Sequence, residues 1–342
     1  MEPESSNVVP GFSRHVGPRR ALMCLGVAGL CVVALLPSWL APVAAATSHH
    51  RHHAPPPPAV ATGQPAPTGT TEASISCATA SLCWSVGAGP PSSGATNGTG
   101  TISVTHDGGK TWLPEIVPTS VVSLSAISCP TTTHCMAGGA TASTGAILST
   151  KNGGATWVLE HAPGGSLSVA GVQCSAAGGC LALITNGTVY SSASSNDYGQ
   201  SWTAGGQLPA TLLGAGGLFC EGTLQCLVAG YATSAPGVGA GALAGSTDGG
   251  ETWTSATLPA GVGLLHGVTC EKSLCIAVGT TATNDTVVVP GQGVILQSTD
   301  GGVTWHAEAH STAVDDAFGV SCTSHMTCVI VGTVWIPLSP PT

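Results

Sequence analysis

Charge is scarce in this chain: 7% of its 342 residues are Asp, Glu, Lys or Arg, where a globular domain carries about 25%. Its surface must therefore be covered by Ser, Thr, Asn, Gly and backbone. Basic residues are the scarcest. Beyond residue 46 there are four, Arg51, Lys110, Lys151 and Lys272, against fourteen acidic ones, a net charge of −10. Nucleic acid and anionic lipid are poor partners for that balance. Aromatics are few as well, with three Tyr and three Phe beside eight Trp. Long helix-forming runs of Leu, Glu, Lys and Arg are missing beyond the first fifty residues, while Gly (48) and Pro (24) abound. Helix propensity is low throughout, and the body reads as all-β.

The N-terminus is a separate object. Arg14, Arg19 and Arg20 precede an uncharged run, "ALMCLGVAGLCVVALLPSWLAPVAAA" at 21–46, that ends on small residues suited to cleavage at Ala44 and Ala46. The order of basic and apolar residues predicts that 1–46 is a signal peptide or a membrane-anchoring helix. In either case the rest of the chain lies outside, secreted or at the cell surface. Residues 47–72 follow as a Pro-rich, His-rich stalk. Its cluster "HHRHH" at 49–53 is read as solvated linker, because an unstructured tract fixes no ligand geometry; no metal and no cofactor is expected.

Two phrases then repeat over 73–342. One occurs five times: "THDGGKTW" (105–112), "TKNGGATW" (150–157), "SNDYGQSW" (195–202), "STDGGETW" (246–253) and "STDGGVTW" (298–305). Its tryptophans, Trp112, Trp157, Trp202, Trp253 and Trp305, stand 45 to 52 residues apart. The other phrase occurs six times as a cysteine pair, usually with Ile/Val-Ser before the first Cys and Cys-x-Ala/Val-x-Gly at the second. The pairs are Cys77/Cys83, Cys129/Cys135, Cys174/Cys180, Cys220/Cys226, Cys270/Cys275 and Cys322/Cys328. Read through, each unit holds four short strands with turns between them, and a period near 45–50 is that of propeller blades.

The five-fold phrase resembles the Asp box, or bacterial neuraminidase repeat, of sialidases, sortilin-like receptors, xyloglucanases and the photosystem II assembly factor. The resemblance covers roughly 70–335 and implies a β-propeller, here of six four-stranded blades preceded by the hydrophobic N-terminal helix. The last blade is incomplete, since only "VWIPLSPPT" follows its second strand; either the stretch before Cys77 closes the ring or blade six stays short. The box residues Asp107, Asn152, Asp197, Asp248 and Asp300 accept backbone N–H bonds at hairpin tips, and the tryptophans pack between blades. Asn152 and the Asn196-Asp197-Tyr198 sequence depart from the pattern, so turns two and three should be the least regular. The six cysteine pairs are expected as local disulfides, one per blade, in an oxidising compartment, and they should serve every blade alike.

Sialidase chemistry, as the resemblance implies it, needs three arginines for the sugar carboxylate and a Tyr backed by Glu, but Arg51 is the sole arginine beyond residue 46. What remains is a binding or scaffold module for a protein or glycan partner at the cell surface. The alternative is a divergent glycan hydrolase using Asp315 and Asp316, which would require two carboxylates about 5–9.5 Å apart in a deep pocket. Disulfide loops and Asp boxes should share one face of the ring. The non-repeated loops 88–100, 139–145, 184–187, 231–242 and 280–292, with the between-blade loops 205–215, 256–266 and 308–316, should form the other. The candidate ligand-binding residues there are His266, His310, Asp315, Asp316, Asp285 and Tyr231. Acids and histidines together would make binding sensitive to pH between about 5 and 7.

Overall fold

The computed structural model describes residues 20–25, 30–35, 71–90, 98–222, 224–235, 238–281, 292–308, 314–322 and 328–333. They form twenty-four strands in six four-stranded antiparallel sheets, with no helix among the described residues. The first strands of the six sheets are Thr71–Cys77, Val121–Ser128, Ser168–Cys174, Gly214–Glu221, Leu265–Glu271 and Asp316–Cys322. In sheets one to five the next three strands follow in chain order, and each is paired to the one before. First strands of successive sheets lie side by side, so they line the axis while fourth strands sit at the rim. The sheets are called blades one to six below.

The N-terminal run departs from expectation. Arg20–Leu25 and Leu30–Leu35 are strands, and Leu30–Leu35 pairs along the whole of Cys328–Thr333 to give blade six the order 20–25, 30–35, 328–333, 316–322. The expected hydrophobic helix is therefore not what the structure shows, and among the described residues no helix is long and apolar enough to cross a membrane. An apolar run without polar punctuation satisfies a buried strand as well as a helix, and the open edge of Cys328–Thr333 offers a row of unpaired peptide groups. Blade six is thus four-stranded, and the stretch before Cys77 is blade one's own first strand.

The cysteine pairs Cys77–Cys83, Cys129–Cys135, Cys174–Cys180, Cys220–Cys226, Cys270–Cys275 and Cys322–Cys328 are all local disulfides, with Cα–Cα distances of 4.0–4.1 Å. Each staples the first hairpin of its blade. The expectation that they serve every blade alike is corrected at Cys83. The other five staples pack in or against the apolar clusters between blades, whereas neither Cys77 nor Cys83 belongs to one. Cys77 is exposed and Cys83 is buried within its own hairpin, its sulfur 3.9 Å from the Thr79 carbonyl oxygen. A disulfide sulfur carries no proton, so that approach is a packing contact and not a donated hydrogen bond. The physical reason for the difference is that no described strand packs against the outer side of blade one's first strand.

Four residues before its first cysteine every first strand carries a β-bulge, which leaves Ala73, Ser125, Ala170, Gly216, His266 and Phe318 unpaired. The bulge explains the glycine of the second phrase. At Gly87, Gly139, Gly230, Gly279 and Gly332 a Cβ would lie 1.9–2.1 Å from a carbonyl oxygen of the first strand or, at Gly279, of Leu264 just before it. Blade three alone carries a side chain there, Ile184 opposite Val169.

Apolar side chains fill five seams between consecutive blades. Trp84, Ile102, Leu148 and Trp157 pack between blades one and two, for example, and Leu227, Leu265, Leu296 and Trp305 between four and five. No such cluster joins blade six to blade one among the described residues. Ile75, on blade one's first strand, is 58% exposed, while its equivalents Ile127, Val172 and Val268 are 5–7% exposed.

Candidate functional site

The Asp boxes come first, because five carboxylate or amide groups on one face would be an obvious ligand array. Asp107 Oδ1 accepts from the Thr105 hydroxyl (2.8 Å) and from the amides of Lys110 and Thr111 (both 2.9 Å), and Oδ2 accepts from the Thr111 hydroxyl (2.7 Å). Asp197, Asp248 and Asp300 take the same hydroxyl, amide and hydroxyl bonds in their own turns. The bond from the following Thr or Ser hydroxyl, then that from its amide, holds Asp107, Asp197 and Asp248 at about 2, below the usual 3.8, and moves Asp300 further in the same direction. These groups are spent on their own turns.

Turns two and three were expected to be irregular and are not. Asn152 Oδ1 accepts from the Thr150 hydroxyl and the Thr156 amide, and its Nδ2 donates to Thr156 Oγ1 at 2.9 Å, so the amide replaces the carboxylate bond for bond. Tyr198 takes φ 58°, the left-handed conformation that Gly108 holds at 74°. Its hydroxyl donates to the Ala176 carbonyl at 2.6 Å, and its ring stacks on His134 with centroids 4.5 Å apart. These contacts tie down a residue that rarely adopts positive φ. Every box also donates one backbone N–H to its own disulfide loop, Gly108 to Ser81 and Gly249 to Leu224 among them. Boxes and staples therefore share a face, as expected.

Of the repeat tryptophans, Trp157, Trp253 and Trp305 are buried. The indole of Trp157 donates to Glu115 Oε2 at 2.5 Å, and that of buried Trp84 donates to Oε1 of the same residue at 3.2 Å. Glu115 thus belongs to the seam of blades one and two. Burial raises its pKa above the usual value, against the pull of the two indole bonds and of His106.

The opposite end of the ring holds what does not repeat. His266 occupies the bulge of blade five and Asp316 opens the first strand of blade six; Nε2 and Oδ1 face each other at 3.3 Å, with side chains 19% and 23% exposed. The two atoms are shielded from solvent and, among the described residues, neither has a hydrogen-bond partner of good geometry. Phe318, in the bulge of blade six, lies with its ring centroid 5.3 Å from that of His266, tilted by 55°. Gly216, in the bulge of blade four, abuts the other side, where a Cβ would come 2.8 Å from His266 Cα. Bulges re-aim side chains. Three blades put only Ala73, Ser125 and Ala170 at this position, whereas blades five and six put an imidazole and a phenyl ring there.

The remaining candidates divide. Tyr231 is at the same end, its ring packed over Gly214. The expected loop 231–242 is a continuation of two strands, Gln225–Ala235 and Val238–Ser246, paired from Tyr231↔Gly241 to Ala235↔Val238. Alternating small residues let the ladder run on past the blade. Asp315 is half-buried and its carbonyl accepts from the Thr280 hydroxyl at 3.1 Å. His310 and Asp285 lie outside the described residues. Among those described, no group of three or more His, Cys, Asp or Glu is gathered as for a metal ion.

A groove of about 180 Å³ lies on the staple face between blades four and five, lined in part by Phe219, Glu221, Leu227, Cys270, Lys272 and Val303. None of the four described candidates, His266, Asp315, Asp316 and Tyr231, lines it. Two local departures mark it in the sequence: Phe219 stands where the other five copies have Ser, Thr or Gln, and the Cys270–Cys275 separation is 5 where every other is 6.

No protein-family model matches the chain, and no curated protein matches its sequence. Among solved structures it is similar to the GH74 enzyme of Niastella koreensis, at 16% identity and TM-score 0.52, over 71% of this chain and 38% of that one. It is also similar to the GH74 xyloglucanase of Xanthomonas campestris, at 14% identity and TM-score 0.55, over 77% of this chain and 44% of that one. The chain spans less than half the length of either enzyme, and what it shares with them is the β-propeller fold.

Proposed function

We propose that the protein is an exported, disulfide-stapled propeller, secreted or at the cell surface, that serves as a binding or scaffold module for a protein or glycan partner. The observation that carries this reading is the meeting of His266, Asp316 and Phe318 at one end of the axis. A ligand meets particular blades, so its contacts belong to residues that differ between blades, and this is where the inner strands differ most. Tyr231 and the long hairpin of blade four stand beside this end, with Asp315 at the edge of blade six. Export is supported by the six disulfides, which persist in oxidising compartments. The test is capture of partners from intact cells by the purified ring, repeated with His266→Ala and Asp316→Ala. Both variants should lose the captured partner and keep the wild-type melting temperature. Capture that survives both would remove this end from the proposal.

A further inference from the structure

The groove between blades four and five differs from the first two seams in a way that points to a ligand. At the first two seams the serine before the blade's first cysteine reaches into the next blade. Ser76 Oγ accepts the N–H of Cys129 at 2.9 Å, and Ser128 Oγ accepts that of Cys174 at 2.9 Å. At the three later seams no such bond forms among the described residues, the same position being Gln173, Phe219 and Thr269, and of these Phe219 alone has no polar side-chain atom. No side-chain acceptor meets the Cys270 N–H among the described residues, and there the groove of about 180 Å³ opens, the space of about six waters. A backbone donor without its repeat partner thus stands beside an apolar wall of Phe219, Leu227 and Val303, the last 68% exposed.

The turn above it supplies a charge. Because the Cys270–Cys275 loop is one residue short, only Lys272 and Ser273 separate the paired Glu271 and Leu274, and Lys272 takes φ 56°. Glycine fills left-handed positions in the comparable loops of blades three and four, Gly178 at 94° and Gly222 at 67°. A lysine in that conformation is uncommon. It lines the groove and forms no ion pair among the described residues, and Glu221, likewise unpaired, lines it too. One cation, one anion, one free peptide donor and an apolar wall in a small space match one kind of molecule.

We propose that this groove binds an α-carboxylate next to an apolar side chain, that is, an apolar amino acid either free or at the C-terminus of a peptide. Lys272 and the Cys270 N–H take the carboxylate as charge-assisted contacts, Phe219 and Val303 cover the side chain, and Glu221 accepts from the ligand's ammonium or amide nitrogen. The site is on the face opposite to the His266 end, so its fate and that of the binding reading above are independent.

The test is a chemical-shift titration of the uniformly ¹⁵N-labelled protein with leucine, N-acetylleucine, glycylleucine and leucinamide. Leucine, or the two blocked forms if the source is a peptide end, should move the amides of Cys270, Lys272 and Gly302 saturably, and leucinamide, which lacks the carboxylate, should not. Phe219→Ser restores the bridging acceptor and should abolish the shifts. Lys272→Gly suits the left-handed turn and should weaken binding at least tenfold with no loss of melting temperature. Leucine binding with N-acetylleucine silent assigns the site to free amino acids, and the reverse assigns it to peptide ends. Absence of saturation with all four probes, equal binding of leucinamide, or undiminished binding by Lys272→Gly would overturn the proposal.

Discussion

Replacing Gly279 by alanine tests the structural meaning of the repeated cysteine phrase. The new Cβ would lie 1.9 Å from the carbonyl oxygen of Leu264, and side-chain carbons come no nearer than about 3.0 Å to such atoms, so the two strands must part by about 1.1 Å. The disulfide Cys270–Cys275 closes the same hairpin and prevents the ladder from sliding to relieve the clash. Separation disrupts flanking backbone hydrogen bonds at about 1 kcal/mol each, added to about 1–3 kcal/mol for overfilling a packed site. A total near 3 kcal/mol lowers the melting temperature of a domain this size by about 6–12 °C. The control is Gly164→Ala, where nothing lies within 4 Å of the added carbon; it should be neutral or stabilise by up to about 1 kcal/mol. Calorimetry under oxidising conditions compares the three proteins. Ile184 shows that blade three has found a geometry that accepts a side chain, so the claim is that a blade built on glycine cannot reach that geometry without loss. If Gly279→Ala melts with the wild type, the bulge does not require the glycine.

Removing one staple, as Cys174→Ser with Cys180→Ser, should cost about 2.4 kcal/mol by loop entropy, and peptide mapping of the exported protein should find all six links within blades; cross-blade links would refute the pairing. Asp248→Asn should keep its turn, since Asn152 already does so, whereas Asp248→Ala should lower the melting temperature clearly; equal melting of the two variants would show that the box oxygen is dispensable. Because the folded pKa of Asp248 is depressed to about 2, its stabilising effect is present above the unfolded value and fades as pH falls towards about 2, so Asp248→Asn should flatten the acid end of the stability curve. Glu115 has the opposite sign: its folded pKa is raised by burial, so its contribution is fully present at acid pH and is lost as pH rises through the folded value. The stability of Glu115→Gln relative to wild type should therefore improve from acid to neutral pH, and a gap that is constant with pH would refute the raised pKa. Intact-mass analysis of the exported chain should show whether residues 20–35 stay with the ring, as blade six in the structure requires, or are lost by cleavage near Ala46.

Much of the fold was legible because its signals are local. The Cys pairs and the Asp-box phrase each specify a turn through residues within eight positions of one another, and their alternation sets the blades. What the phrase could not carry is its surroundings: Cys77 and Cys83 spell the same staple as the other pairs, yet only the tertiary arrangement leaves theirs outside a seam. The place of His266 and Asp316 at the end opposite the staples was legible by subtraction, as polar residues off the beat, although nothing local told that they would face each other from different blades. Completion of blade six was not legible, since pairing of 30–35 with 328–333 joins segments almost three hundred residues apart and an apolar run carries no period to reveal it. The extension of blade four was hidden by glycine and alanine, which read as loop yet allow a ladder. Phe219 and the shortened Cys270–Cys275 loop were visible as exceptions. Their meaning required Ser76 and Ser128, whose bonds to the next blade show what Phe219 has given up.

The bare first strand of blade one changes how the whole molecule should behave as a chain of coupled units. Among the described residues five seams are packed and no comparable cluster joins blade six to blade one, so each of those two blades has one packed neighbour where an inner blade has two. In repeat arrays stability accumulates from nearest-neighbour terms, so opening should begin at blades one and six and reach blades three and four last. Amide exchange would then read as a gradient along the sequence, steepest near Ile75 and Phe318, instead of the uniform protection of a closed circle.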